Sequence, residues 1–250
     1  MHFTDTKASA IKDISKGLSK STVLYAKYSV DHDAFSREIS LIADAFVSVK
    51  CTNYAYNGSG TRPQAVSAAS GSGVVVASGG GYYYFVTNHH VISSDNALVS
   101  EYKVTDAYDN EYAAELITSD TDADLALLRF RIGTKALSVL EVESEIPDYE
   151  EAIAAIGNPL GKHNTLTFGK IKNYKEVEVA SDTGGVEVDF EVLWHTAYLA
   201  SGSSGGALLN AEMKIVGINF ATAANSDGDF AYGFAIPGEK VLQFLQGALE

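Results

Sequence analysis

The chain has 250 residues, 46% of them hydrophobic and 20% charged, with 22 glycines against 4 prolines; that is a globular composition, long enough for one large core or two smaller ones. Its 18 basic residues face 32 acidic ones, a net charge of −14, which argues against nucleic acid and anionic membrane surfaces as partners, because both are gripped by Lys and Arg on phosphate. The single cysteine, Cys51, excludes an intrachain disulfide, the scattered histidines offer no zinc spacing, and no apolar run approaches the ~18 residues of a membrane helix.

The start, "MHFTDTKASA", lacks the apolar h-region of a signal peptide. The expectation is a cytoplasmic protein, or an extracytoplasmic one whose targeting segment has been removed. Residues 1–43 form an N-terminal helical extension. Ile11, Ile14 and Leu18 recur at helical spacing, and Ile39, Ile42, Ala43 and Phe46 repeat it, with the polar "YSVDHDAF" between the two helices.

From residue 46 onwards the pattern changes to short apolar runs separated by Gly, Asn, Ser and Asp. Eleven read as strands: "AFVSVK", "GVVVAS", "YYYFVTN", "AAELIT", "LALLRF", "AIAAIG", "TLTFGKI", "VEVDFEVL", "ALLN", "KIVGINFATA" and "FAYGFAI". Their β-branched and aromatic content and their spacing indicate an antiparallel sandwich or barrel rather than βαβ units. The acidic "EVESEIPDYEEAI" lies in the best position for a connection between two halves, near residues 137–152. Behind Pro237, "PGEKVLQFLQGALE" places Val241, Leu242, Leu245 and Leu249 on one face, a terminal helix that docks on the β-structure.

Three places bring reactive side chains to strand ends: "YYYFVTNHHVI", "DTDADLALLRF" and "SGSSGGALLN". Each alone has a bland reading, as surface histidines, loop acids and a small-residue turn. Together they supply what acyl transfer requires. A serine hydroxyl becomes a nucleophile when an imidazole removes its proton, and a carboxylate fixes that imidazole's tautomer. Backbone N–H groups in a tight glycine turn then stabilise the developing oxyanion.

In this order, "VTNHHVI", "DADLALL", "AIGNPLG", "SGSSGGALLN", "IVGIN" and "YGFAIP" resemble the blocks of the HtrA-type branch of trypsin-like serine peptidases. The resemblance runs from about residue 44 to about residue 245. It implies an all-β, chymotrypsin-like double antiparallel β-barrel over residues 44–250, with short N-terminal helices and a C-terminal helix. It also implies a serine endopeptidase with no cofactor and no metal. By position, His90 is the general base, Asp124 orients it, and Ser204 is the nucleophile, while His89 falls outside the triad. The turn Gly202-Ser203-Ser204 is the oxyanion hole, with the N–H groups of Gly202 and Ser204 as its donors. Tyr198, Leu199 and Ala200 on one side and Asn219, Phe220 and Ala221 on the other line the substrate site. None is charged, so the expected P1 residue, on the N-terminal side of the scissile bond, is small or medium and apolar. "GINFAT" offers an edge strand for a polypeptide substrate.

The resemblance has two departures. Digestive trypsin-like enzymes have an aspartate before the nucleophile that pairs with a newly cut N-terminus; here Ser203 stands there, so that activation is not expected. The stretch before the nucleophile is also about one residue shorter than the family pattern. The chain ends at Glu250 without room for the PDZ domain that many relatives carry, and the N-terminal segment is a candidate for homo-oligomer formation. EF-hand readings of "DTDADL" and "NSDGDF" fail, since Leu125 and Phe230 occupy positions that need glycine. The remaining rivals are a catalytically silent peptide-binding or scaffolding module on the same fold, and an esterase using the same triad.

Overall fold

The computed structural model describes residues 32–56, 62–93, 97–131, 133–158, 165–176 and 188–249. The expected helix around Ile11–Leu18 lies outside these residues. The second N-terminal helix, α1, runs His32–Leu41, earlier than the sequence pattern placed it. Ile39 is buried, but the helical spacing of Ile42, Ala43 and Phe46 is coincidental: a 3-10 turn covers Ala43–Ala45 and Phe46 begins the first strand.

Twelve strands follow among the described residues: β1 Phe46–Ala55, β2 Gln64–Gly79, β3 Tyr82–Thr87, β4 Val99–Thr105, β5 Glu111–Asp120, β6 Leu125–Arg131, β7 Ala152–Gly157, β8 Thr165–Lys175, β9 Val192–His195, β10 Ala207–Leu209, β11 Ile215–Ala224 and β12 Phe230–Pro237. Between β3 and β4 sits one helical turn, α2, His89–Ile92; the chain ends in α3, Gly238–Leu249. The pairings between these strands are antiparallel and close two barrels, in the orders β1-β2-β3-β6-β5-β4 and β10-β11-β12-β9-β8-β7. The architecture is the all-β double barrel with few helices that the resemblance implied. One strand, β4, was not among the eleven read from the sequence.

Closure matters physically, because a sheet closed on itself has no long unpaired edge. Each barrel fills its own interior. Val47, Val49, Val75, Phe85, Val104, Leu128 and Phe130 form the first core, and Ile153, Ile171, Leu193, Leu208, Val216 and Ala235 form the second. The period-2 alternation explains which residues enter: in β3, Tyr83 and Phe85 face the first core, and both rings pack on Phe130 at 5.8 and 5.9 Å.

The connection between the barrels is knitted to both. Leu140 donates its N–H to Val75 O at 3.0 Å, and Ile215 exchanges backbone bonds with Glu141 and Glu143 at 2.8 Å each. Two further contacts fix the segment entering residues 198–204. Gly169 of β8 lies so close to it that a methyl group there would sit 2.1 Å from Ala197 N. His195, fully buried at the end of β9, bonds through Nε2 to Asn219 Oδ1 at 3.1 Å and covers Gly233 of β12.

Burial pushes the His195 imidazole down to about 4, against the smaller upward pull of its bonds to Asn219 and the Ala197 backbone. The buried ring is therefore neutral, whereas an unfolded chain protonates it near pH 6.5. Its depressed folded value leaves its contribution intact above pH 6.5, and that contribution is lost as pH falls towards 4. Urea titrations at pH 7 and pH 4.5 should show a His195→Gln variant losing about 2–3 kcal/mol less stability on acidification than wild type. Equal losses in both proteins sink this account. At Gly169, substitution by Ala should reduce unfolding stability by about 1–3 kcal/mol or more, read from the urea midpoint, because backbone and not a flexible side chain must yield.

Candidate active site

The sequence "VTNHHVI" ends β3 and opens α2, and the first N–H groups of a helix lack partners within it. Here Asp124 supplies them. Its backbone carbonyl accepts from His89 N at 3.1 Å and Asn88 Nδ2 at 3.0 Å; its carboxylate Oδ1 accepts from His90 N at 2.9 Å. The other carboxylate oxygen, Oδ2, lies 2.8 Å from His90 Nδ1. Three consecutive residues are thus aligned on one acid, which fixes both the main chain and the ring of His90. Asp124 is fully buried, and the His90 side chain keeps 31% of its exposure, so the ring has a dry side and an open side. With Nδ1–H given to the carboxylate, Nε2 is left as the ring's acceptor.

Asp124 has φ of +51°, a left-handed conformation uncommon outside glycine that aspartate tolerates at a modest cost. The loop before it is held by Asp120, whose Oδ1 accepts the N–H groups of Asp122 and Ala123 at 2.9 Å each. Those two acids serve the loop's shape, and Asp124 alone among them reaches His90.

The small-residue run 201–206 is a series of tied turns. Ser203 N–H closes a turn on Ala200 O at 2.9 Å, and Gly202 has φ of +93°, the sign required at the third position of a type II turn. Gly206 N–H bonds to Ser203 O, and Gly205 N–H to Asn219 O, both at 2.9 Å. The Ser204 carbonyl accepts from Ser72 N of β2 at 2.8 Å, across to the other barrel. Gly205, with φ of +82°, has room for nothing larger: a methyl there would lie 2.1 Å from Ser72 O and 2.3 Å from Thr87 Oγ1. Among the described residues, the N–H groups of 203, 205 and 206 are all taken, and those of Gly202 and Ser204 have no acceptor.

Ser203 is engaged within the turn itself: its N–H bonds to Ala200 O, and its hydroxyl accepts Ala200 N at 3.1 Å. The pair forms a closed clamp within four residues.

The Ser204 turn and α2 meet at Gly71. A methyl on it would lie 2.7 Å from Val91 Cγ2, one residue beyond His90, and 2.8 Å from Ser204 O. A bare glycine therefore lets α2 and the Ser204 turn approach the same point of β2. His89, by contrast, bonds through its N–H to the Asp124 carbonyl and makes no contact with the carboxylate.

Of the six substrate-site residues, Leu199, Asn219 and Phe220 are buried, and Ala200 and Ala221 are half-buried. Tyr198 is 57% exposed and packs edge-on against Phe230 at 5.1 Å, with its carbonyl held by Thr167 Oγ1. Two residues with no sequence-derived role belong to the site. Ser72 Oγ donates to Gly202 O and accepts Asn158 N–H, both at 2.7 Å; Asn158 Nδ2 also reaches Val47 O at 2.9 Å. The hint lay in "GSGV" and "GN", a serine between glycines and an asparagine after one, too common a pattern to single out.

Comparison with known proteins follows the same lines. A family model for the trypsin-like peptidase domain matches residues 71–218. The periplasmic serine endoprotease DegP of Escherichia coli is 32% identical over 158 residues, covering 62% of this chain and 31% of that protein. The serine protease Do-like HtrB of Bacillus subtilis is 36% identical over 141 residues, covering 55% and 30%. The chain thus spans under a third of the length of these curated relatives. The solved structure of the HtrA-type protease AlgW with a tripeptide superposes with a TM-score of 0.68 at 28% identity, over 86% of this chain and 64% of that one. Among the described residues no helix is long and apolar enough to cross a membrane. A match over more than half of the sequence, on a fold of the same two barrels, makes this chain a member of the trypsin-like peptidase domain family, with HtrA-type proteases as its relatives.

Proposed function

We propose that this chain is a serine endopeptidase that cleaves polypeptides through an acyl-enzyme. The observation that carries the proposal is the 2.8 Å bond from His90 Nδ1 to the buried Asp124 carboxylate, on a helical turn packed beside the turn of Ser204. In this reading His90 Nε2 takes the proton of Ser204 Oγ as that oxygen attacks the scissile carbonyl. The same proton goes to the leaving amine when the C–N bond breaks. A water then repeats the sequence and releases the acid. Asp124 keeps the imidazole in the tautomer that leaves Nε2 free and stabilises the transient imidazolium. The unengaged N–H groups of Gly202 and Ser204 supply the oxyanion hole.

Substrate preference follows from what fills the second barrel's end. The His195 ring and Leu199 Cδ1 occupy the space above Gly233, within 2.9 Å of where a side chain there would begin. In this reading the two side chains limit the depth of a P1 site beside Ala200 and Asn219–Ala221, and the burial that keeps His195 neutral leaves that end uncharged. Small or medium apolar P1 side chains fit such a pocket. Along β11, pairing with β10 ends at Ile218 while pairing with β12 continues to Ala224. The segment from Phe220 onward thus has a sheet edge that β10 does not cover, where an extended substrate adds as a strand.

Ser204→Ala should abolish both casein cleavage and labelling by a fluorophosphonate probe. Asp124→Asn should reduce kcat about ten-thousand-fold, by analogy with other triads that lose the correct tautomer. His90→Ala should be nearly as severe as loss of the serine, and His89→Ala nearly silent; the reverse order would move the general base to His89. A folded wild-type chain that never labels replaces the peptidase by a non-catalytic peptide-binding module. Labelling and ester hydrolysis without casein cleavage point to an esterase.

A further inference from the structure

Ser72 lies in β2 of the first barrel, 1% exposed, and touches the reacting turn of the second barrel twice. Its N–H donates to Ser204 O at 2.8 Å and its hydroxyl to Gly202 O at 2.7 Å. The hydroxyl's direction is dictated. Asn158 N–H, at 2.7 Å, occupies one lone pair of Oγ, so the proton is free to point at Gly202. Thr87 Oγ1 in turn fixes Ser72 O at 2.7 Å, which anchors the residue from the strand that leads to His90.

The consequence lies in the peptide planes. The carbonyl of Gly202 and the N–H of Ser203 belong to one plane, held at one end by Ser72 Oγ and at the other by Ala200 O. The carbonyl of Ser204 and the N–H of Gly205 belong to another, held by Ser72 N and Asn219 O. The first of these planes stands between the two unengaged N–H groups, those of Gly202 and Ser204. Their separation and mutual angle therefore depend on it.

We propose that Ser72 is a positioning residue, whose hydroxyl aligns the two oxyanion-hole donors before substrate arrives; this rests on the peptidase reading above. Donors aimed in advance need no reorganisation at the moment of reaction, which is where such groups have their effect on rate. Removal of the hydroxyl frees the Gly202 carbonyl and leaves the backbone folded around it. It harms the tetrahedral transition state more than the bound substrate.

The test is steady-state kinetics on a fluorogenic peptide, normalised to fluorophosphonate-titrated sites, for wild type, Ser72→Ala and Ser72→Cys. Ser72→Ala should lower kcat about 10- to 100-fold with KM within about twofold. Affinity for a peptide boronate, which forms a tetrahedral adduct, should fall by the same factor as kcat, and affinity for a cleaved product peptide should hold. Ser72→Cys keeps the volume with a weaker donor and should show the same split, which covers the case in which the alanine variant does not fold. A kcat within about threefold of wild type in either folded variant overturns the inference, as does a loss confined to KM. If neither variant folds, Ser72 serves folding and not alignment, and the inference falls. A wild-type chain that neither cleaves nor labels removes the peptidase reading and this inference together, a result distinct from an active wild type with an active Ser72→Ala.

Discussion

Two closed barrels have few backbone groups to offer one another, because closure uses nearly all of them internally. Among the described residues, one direct backbone-to-backbone bond joins the strands and turns of the two, from Ser72 N–H in the first barrel to Ser204 O in the second. The three residues of the proposed triad are drawn from the two sides of that seam. His90 and Asp124 belong to the first barrel's rim, and Ser204 and its glycines to the second's. The bare glycines at 71 and 205 are what permit the approach, since a single methyl at either would strike the opposite barrel's backbone.

Polar groups buried at such a seam need partners, and the seam supplies them in a connected set. Thr87, Ser72, Asn158 and the Gly202 carbonyl form one chain of bonds between 2.7 and 2.9 Å that ends on Val47 O. Such networks stabilise when complete and are costly when broken. Asp124 is a second hub, accepting from His89, His90 and Asn88 while holding a left-handed backbone angle. Strain is tolerated there because four hydrogen bonds over-determine the conformation.

The residues of the proposed triad were legible in the sequence because they sit in short local blocks, where a strand ends and a turn begins. His90, Asp124 and Ser204 could each be placed by their neighbours. The Ser72 network could not, because its bonds join residues 86 and 130 positions apart in the chain. Strand β4 escaped for a different reason. "VSEYKVT" carries Glu101 and Lys103 on its outward face and buries only Val104, so its alternation reads as a polar loop. Helix α1 was shifted because Ile42, Ala43 and Phe46 extend a helical rhythm that the first strand interrupts.

The Ser203–Ala200 clamp bears on when such a molecule works. In the digestive relatives of this fold, the corresponding residue reaches for a distant chain end that exists only after a cut. Ser203 instead finds both partners on one residue three positions away. A turn built from its own neighbours is complete as soon as the chain has folded, and waits for no maturation event.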